Sequence, residues 1–201
     1  MLFEAQINWI KKRLPSYKTK MAKDQLRARI RQTLRVQDPA ELEAWSSEVC
    51  ARIEQLHAFR QARVVMMYYP VHHEVNLRPL MDKYKDEKTI LLPVTHRKYI
   101  EMRQYVGMDD LKKGRYDIPT PQTSTYSGKP DLIIVPGIAF DKDLIRLGRG
   151  KGYYDKFLHK HRQIRRIGVC YDLQLEDALP YTWHDVRMDE LVTPSKVIRA
   201  N

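Results

Sequence analysis

The chain has 201 residues, 43% of them hydrophobic and 30% charged, and its 36 Lys and Arg against 25 Asp and Glu give a net charge of +11. That length suits one α/β domain able to bury a core without disulfide or metal staples, and the composition excludes collagen-like, mucin-like and fully disordered classes. No apolar run approaches the ~18 residues of a membrane span, and Cys50 and Cys170, far apart and without a secretory signal, point to a reducing, cytoplasmic compartment.

Residues 1–20 carry Leu2, Phe3, Ile7, Trp9, Ile10 and Leu14 around Lys11-Lys12-Arg13. The order of apolar and basic residues does not suit a secretory signal; a mitochondrial transit peptide stays open although serine is scarce. The stretch reads as an N-terminal extension upstream of a natural start at Met21, with residues 21–201 as the domain. Leu26, Ile30 and Leu34 then recur every four residues, the period of a helix. Asp38-Pro39 breaks that run and caps a second helix, whose apolar face is Leu42, Trp45, Val49, Ile53 and Leu56. Val64 to Tyr69 is a continuous apolar run suited to a buried parallel strand. A short helix is expected over 77–86, a strand over Thr89–Val94 ended by proline, and a half-exposed strand over Ile100–Val106. Residues 107–130 are rich in glycine and proline and read as a long loop. Asp131–Val135, Ile167–Tyr171 and Leu191–Ile198 are further strands, with a helix over about 151–162. This alternation predicts a single α/β domain, a mainly parallel sheet with helices on both faces and an N-terminal helical pair.

The positive charge is uneven. Residues 1–35 hold ten Lys and Arg against Glu4 and Asp24, and the rest of the chain is close to balanced. Such a surface suits nucleic acid, a polyanionic cofactor such as ATP, or a polyglutamate tail, and charge does not choose among them. His72-His73 and His159-x-His161 lack partners at metal-ligand spacing.

The densest motif is Arg146-Leu-Gly-Arg149-Gly-Lys151-Gly-Tyr-Tyr-Asp155. Gly148, Gly150 and Gly152 let backbone approach a ligand closely, and a helix N-terminus follows. Arg146, Arg149 and Lys151 complete a phosphate cradle. It is not a Walker A loop, since Gly152 stands where Ser or Thr would be needed. It is not a dinucleotide fingerprint, since Tyr153 replaces the third glycine.

Val135-Pro-Gly-Ile-Ala-Phe-Asp141 followed by this block resembles the signature of the 5-formyltetrahydrofolate cyclo-ligase (5,10-methenyltetrahydrofolate synthetase) family. Lys23-Asp-Gln-Leu26-Arg27, Tyr69 through Glu74-Val75 and Asp185-Val-Arg-Met-Asp189 are similar to weaker family segments, so the resemblance covers about residues 21–198. It implies an ATP- and Mg²⁺-dependent closure of 5-formyltetrahydrofolate to 5,10-methenyltetrahydrofolate, with ADP and phosphate released. It assigns ATP binding to Lys23, Arg27, Arg146, Leu147, Gly148, Arg149, Gly150, Lys151, Gly152, Tyr153 and Tyr154. Substrate contacts fall to Tyr69, Glu74, Arg149, Gly150, Lys151, Gly152 and Tyr153, with Arg149, Lys151 and Tyr153 catalytic. Asp155 and Asp185 match Mg²⁺ ligands. The partners implied are a folate and ATP, with no nucleic acid or membrane, and the protein is expected to be a monomer. The chain departs from the family in reading Asp117-Ile-Pro-Thr120-Pro121 where a Gly-Ile-x-Glu-Pro-like stretch is common, and in His72-His73 before Glu74. Two other classes remain open: a nucleotide- or RNA-binding module that kept the fold without the chemistry, and an ATP-dependent enzyme acting on another N-acyl metabolite.

Overall fold

In the structure, a computed structural model describing residues 2–97 and 99–199, with side chains from residue 19 onward, helix α1 spans Leu2–Arg35, α2 Pro39–Gln55 and α3 His57–Gln61. The expected boundary between an extension at 1–20 and a domain from Met21 falls inside α1, which runs through it without a break. The break between α1 and α2 is the expected one: the Asp38 carboxylate accepts from Ala40 N–H at 2.9 Å, and Pro39 opens the helix. Ile30 and Leu34 of α1 meet Leu42, Val49 and Ile53 of α2 in one buried cluster, with Trp45 packed at its edge.

The remaining elements in chain order are β1 (Val64–Met66), α4 (Arg78–Tyr84), β2 (Thr89–Thr95), β3 (Ile100–Gln104), β4 (Leu111–Lys113), β5 (Pro119–Pro121), β6 (Leu132–Pro136), β7 (Ala139–Asp141), β8 (Arg146–Leu147), α5 (Tyr153–Lys160), β9 (Arg165–Val169), β10 (Leu175–Glu176), β11 (Glu190–Val192) and β12 (Val197–Arg199). Among the described residues the main sheet has seven strands in the order β12-β11-β9-β6-β1-β2-β3. β11, β9, β6, β1 and β2 are mutually parallel, and β3 and β12 are antiparallel edges.

The period of two sorts the sheet's side chains into two cores. Val65, Ile90, Leu92, Ile134 and Ile167 join the helical cluster of α1, α2 and α4. Met66, Leu91, Ile133, Val135 and Leu191 face the other way and pack on Phe157 and Leu158 of α5. Helices thus cover both faces, as expected.

Three elements differ from the sequence reading. β2 continues through Pro93 to Thr95, because β1 ends opposite Leu91 and Pro93 pairs only with Met102 of β3. A missing N–H is tolerated where no second ladder needs it. The expected loop 107–130 contains the antiparallel pair β4–β5, and the expected strand 191–198 is the hairpin β11–β12. Prolines and short runs conceal both from periodicity.

The chain places β2 on one side of β1 and β6 on the other. The strand order therefore reverses between β1 and β6, and a crevice opens at their carboxyl ends, the position where open α/β sheets receive ligands.

Candidate active site

The glycine loop hangs from the β7–β8 hairpin. Buried Asp141 accepts the N–H groups of Asp143, Ile145 and Leu179 at 2.9–3.0 Å and fixes the turn. The turn aims Arg146 inward, so that it is 5% exposed. There its Nη2 donates to Asp155 Oδ1 at 2.8 Å and its Nη1 to the Pro136 carbonyl at 3.2 Å. Arg146 thus ties the end of β6 to the first turn of α5. Gly148 is needed beside it: a Cβ there would stand 2.7 Å from Arg146 Nη1.

From the other side α1 meets the loop. Arg27 Nε donates to the Gly148 carbonyl at 2.8 Å, and Nη1 pairs with Asp24 at 2.6 Å. One turn earlier, Lys23 Nζ reaches Asp185 Oδ2 at 2.6 Å. Asp185 also accepts Thr182 N–H at 2.7 Å and Thr182 Oγ1 at 2.9 Å. Burial pushes the Asp185 carboxyl up, but these bonds and the Lys23 charge outweigh it, and its pKa lies below the ordinary value.

Two cavities result. The larger, of about 690 Å³, lies at the switch between β1 and β6 and is lined by Tyr69, Glu74, Gly137 and the glycine loop. The smaller, of about 310 Å³, is lined by Lys23, Arg27, Leu147, Asp155 and Asp185. Gly148, Gly150, Gly152 and Asp155 border both. The partition between the cavities is therefore largely bare backbone, with Gly150 at φ +95° and Gly152 at φ +67°.

Glu74 belongs to the larger cavity. Its Oε1 accepts from Arg149 Nε at 3.1 Å and Nη2 at 2.7 Å, and Oε2 accepts from Val71 N–H at 3.2 Å. Burial still leaves its pKa above the ordinary carboxylate value, with Arg149 and the Val71 N–H opposing that shift. Arg149 is thus committed to Glu74, while Lys151 lines the same cavity and is exposed. Tyr153 lines it too, and its hydroxyl donates to the Arg97 carbonyl at 3.4 Å. Tyr154 borders the larger cavity and is absent from the lining of the smaller one.

The sequence-predicted residues therefore gather round one glycine partition. Lys23, Arg27, Leu147 and Asp185 stand on one side; Tyr69, Glu74, Arg149, Lys151, Tyr153, Tyr154 and the buried Arg146 stand on the other, and Asp155 borders both. The sequence reading missed His159 and His184 on the smaller cavity and Tyr116 on the larger. His184 adjoins Asp185, and Tyr116 adjoins Asp117. Tyr116 and Asp117 sit at φ 60° and 59°, the left-handed region that glycine favours. Thr120 of β5, the other departure, pairs with Lys112 of β4 and donates to the Ile118 carbonyl at 3.0 Å. His72 borders the larger cavity at φ 54°.

Among the described residues no cluster of three or more His, Cys, Asp or Glu side chains could hold a metal. Asp155 and Asp185 nevertheless edge one cavity, each already facing a cation. Such a pair suits Mg²⁺ that arrives with phosphate oxygens and water and asks the protein for one or two carboxylates. No helix among the described residues is long and apolar enough to cross a membrane.

The comparisons with known proteins agree with one another. Residues 19–194 match the profile of the 5-formyltetrahydrofolate cyclo-ligase family. A probable 5-formyltetrahydrofolate cyclo-ligase from Schizosaccharomyces pombe is 30% identical over 200 residues, covering 89% of this chain and 98% of that protein. The 5-formyltetrahydrofolate cyclo-ligase of Escherichia coli K12 is 28% identical over 178 residues, covering 84% of this chain and 98% of its own. Among solved structures, the 5,10-methenyltetrahydrofolate synthetase of Aquifex aeolicus superposes with a TM-score of 0.80 at 32% identity, covering 89% of this chain and 92% of that one.

Proposed function

The chain belongs to the 5-formyltetrahydrofolate cyclo-ligase family and is a ligase, and from that premise we propose that it closes 5-formyltetrahydrofolate to 5,10-methenyltetrahydrofolate at the expense of ATP. The observation that carries this reading is the glycine partition. One cavity is edged by Lys23 and Arg27 and suits phosphates; the other opens at the sheet switch point and suits a flat heterocycle; three glycines and Asp155 border both.

The chemistry follows. A formyl oxygen on nitrogen is a poor leaving group. It attacks the terminal phosphorus of ATP, the P–O bond to ADP breaks, and the formyl carbon becomes an activated iminium phosphate. N10 then bonds to that carbon, the C–O bond breaks, and phosphate departs with the formyl oxygen and the N10 proton. In such transfers a protein mainly positions reactants and neutralises charge. Lys23 and Arg27 hold the nucleotide's phosphates from α1, one turn apart on one face. The loop's N–H groups and Lys151 meet the moving phosphoryl group. Glu74 takes the donor edge of the pterin, Tyr69 and Tyr153 pack on the ring, and Arg149 pairs with Glu74 and opposes the rise that burial imposes on its pKa. Asp155 and Asp185 would hold Mg²⁺, which supplies further charge neutralisation at the phosphates.

The test is incubation of purified protein with 5-formyltetrahydrofolate and MgATP. Near-ultraviolet absorbance of the methenyl product should rise with equimolar ADP. Folded protein that binds ATP and yields no product would favour the binding module instead. Turnover of a different N-acyl compound alone would favour the other ligase.

A further inference from the structure

Helix α1 carries a third cation beyond the two that face the smaller cavity. Lys23, Arg27 and Arg31 stand four residues apart, so they follow one another along one side of the helix, each about 6 Å further along its axis. Lys23 and Arg27 line the smaller cavity, and Arg31 lines the larger one. The row therefore crosses the glycine partition, with Arg27 on the Gly148 carbonyl at the crossing. Lys23 and Arg27 are each held by a carboxylate. Arg31 is exposed and has no hydrogen bond or ion pair among the described residues.

The charges on the wall of the larger cavity leave Arg31 over. Its three acids are all taken: Glu74 by Arg149 at 2.7 Å, Asp155 by Arg146 at 2.8 Å and Asp117 by Lys113 at 2.9 Å. Of the lining cations, Lys151 and Arg31 have no acidic partner among the described residues. Lys151 belongs to the glycine loop and to the phosphoryl group, which leaves Arg31 to meet another anion. The cavity also has an inner and an outer end. Tyr68 and Gly137 are buried and the Glu74 side chain is 12% exposed, whereas Arg31, His72 and Tyr116 are exposed. A folate whose pterin lies against Glu74 extends its benzoyl ring outward and ends in a glutamate with two carboxylates. A guanidinium fork matches a carboxylate through two parallel N–H bonds. We propose that Arg31 is a specificity-determining residue that binds a glutamate carboxylate of the bound folate at the mouth of the larger cavity. The inference rests on the folate reading above and deepens it.

The test compares Arg31→Gln with the wild-type chain. Equilibrium binding without ATP is measured for 5-formyltetrahydrofolate and for its amide analogue, in which a primary carboxamide on the benzoyl ring replaces the glutamyl amide and no carboxylate remains. The wild type should bind the folate about tenfold more tightly than the amide, the low end for a charge-assisted bond because Arg31 is exposed. The variant should bind both compounds within twofold of the wild type's affinity for the amide. Arg31→Lys keeps the charge without the fork and should recover part of the preference. The ATP KM of Arg31→Gln should stay within twofold of wild type, because Arg31 lies across the partition from Lys23. Equal losses for both ligands, no loss for either, or a wild type that binds the two equally would each overturn the inference. So would an ATP KM raised as much as the folate affinity falls, which would give Arg31 to the phosphates. If the wild type turns over 5-formyltetrahydrofolate while one of these results holds, only the Arg31 assignment falls. If the wild type neither binds nor turns over that compound, the folate reading falls with it.

Discussion

Replacing Gly148 with alanine should damage the protein more than replacing Gly152, although both lie in the same loop. A Cβ at Gly148 would stand 2.7 Å from Arg146 Nη1, 3.0 Å from Nη2 and 3.1 Å from Cζ. The guanidinium has no room to yield. Its side chain is 4% exposed, held to Asp155 at 2.8 Å and to the Pro136 carbonyl at 3.2 Å. The methyl group must therefore separate Arg146 from Asp155 or displace the loop. Breaking one side of a buried ion pair costs ~3–5 kcal/mol. Asp155 is 23% exposed and regains some hydration, so the low end of about 3 kcal/mol applies. At Gly152 a Cβ meets nothing within 4 Å, and only the left-handed φ of +67° opposes it. That strain is ~1–2 kcal/mol, partly offset by the reduced freedom of the unfolded chain. Urea unfolding of both variants should show Gly148→Ala destabilised by about 2 kcal/mol more than Gly152→Ala at equal m-values. A Gly148→Ala protein as stable as the Gly152→Ala protein would refute the argument that Arg146 is a fixed strut.

On the proposed reading Lys23→Ala removes a charge-assisted phosphate contact of ~1.5–3 kcal/mol, so the ATP KM should rise about 10- to 100-fold with a smaller change in kcat; a steady-state ATP titration with KM unchanged contradicts the role of α1. Glu74 has a raised pKa in the fold, so its ionisation weakens the folded state once pH exceeds the ordinary carboxylate range. Glu74→Gln should accordingly be the more stable protein at neutral pH, with the advantage vanishing in acid below that range, as followed by thermal melts across pH; a difference that grows in acid contradicts this sign. Asp117 sits at φ 59°, so Asp117→Gly should be tolerated whereas Asp117→Val should cost ~1–2 kcal/mol; equal melting temperatures for the two variants would argue against a left-handed turn there.

Much of this was legible from residue order because local and tertiary signals agreed. The face of α2 and the β6 run are each stated by residues whose side chains are also buried, and the Asp38-Pro39 break by an exposed cap that the fold keeps. The glycine loop was legible because three alternate glycines among three cations have few structural uses. What the sequence withheld were relations between distant segments. Nothing local to Arg149 says that it ties down Glu74, 75 positions earlier, or that Lys23 meets Asp185, 162 positions away. That Asp155 borders both cavities while Tyr153 and Tyr154 border the larger alone also depends on the helix that begins there, since adjacent positions on a helix face different ways. Short pairs such as β4–β5 lay hidden because three residues are too few to establish a period.

The account stands on the claim that phosphate leaves carrying the formyl oxygen across the glycine partition. The most direct measurement starts from 5-formyltetrahydrofolate labelled with ¹⁸O in the formyl group, incubated with MgATP and the purified chain. The inorganic phosphate is then examined by mass spectrometry or by the ³¹P isotope shift. One ¹⁸O in each phosphate, formed in step with methenyl product and ADP, is the predicted result. Unlabelled phosphate, or methenyl product without ADP, would contradict phosphoryl activation and the role assigned to the two cavities.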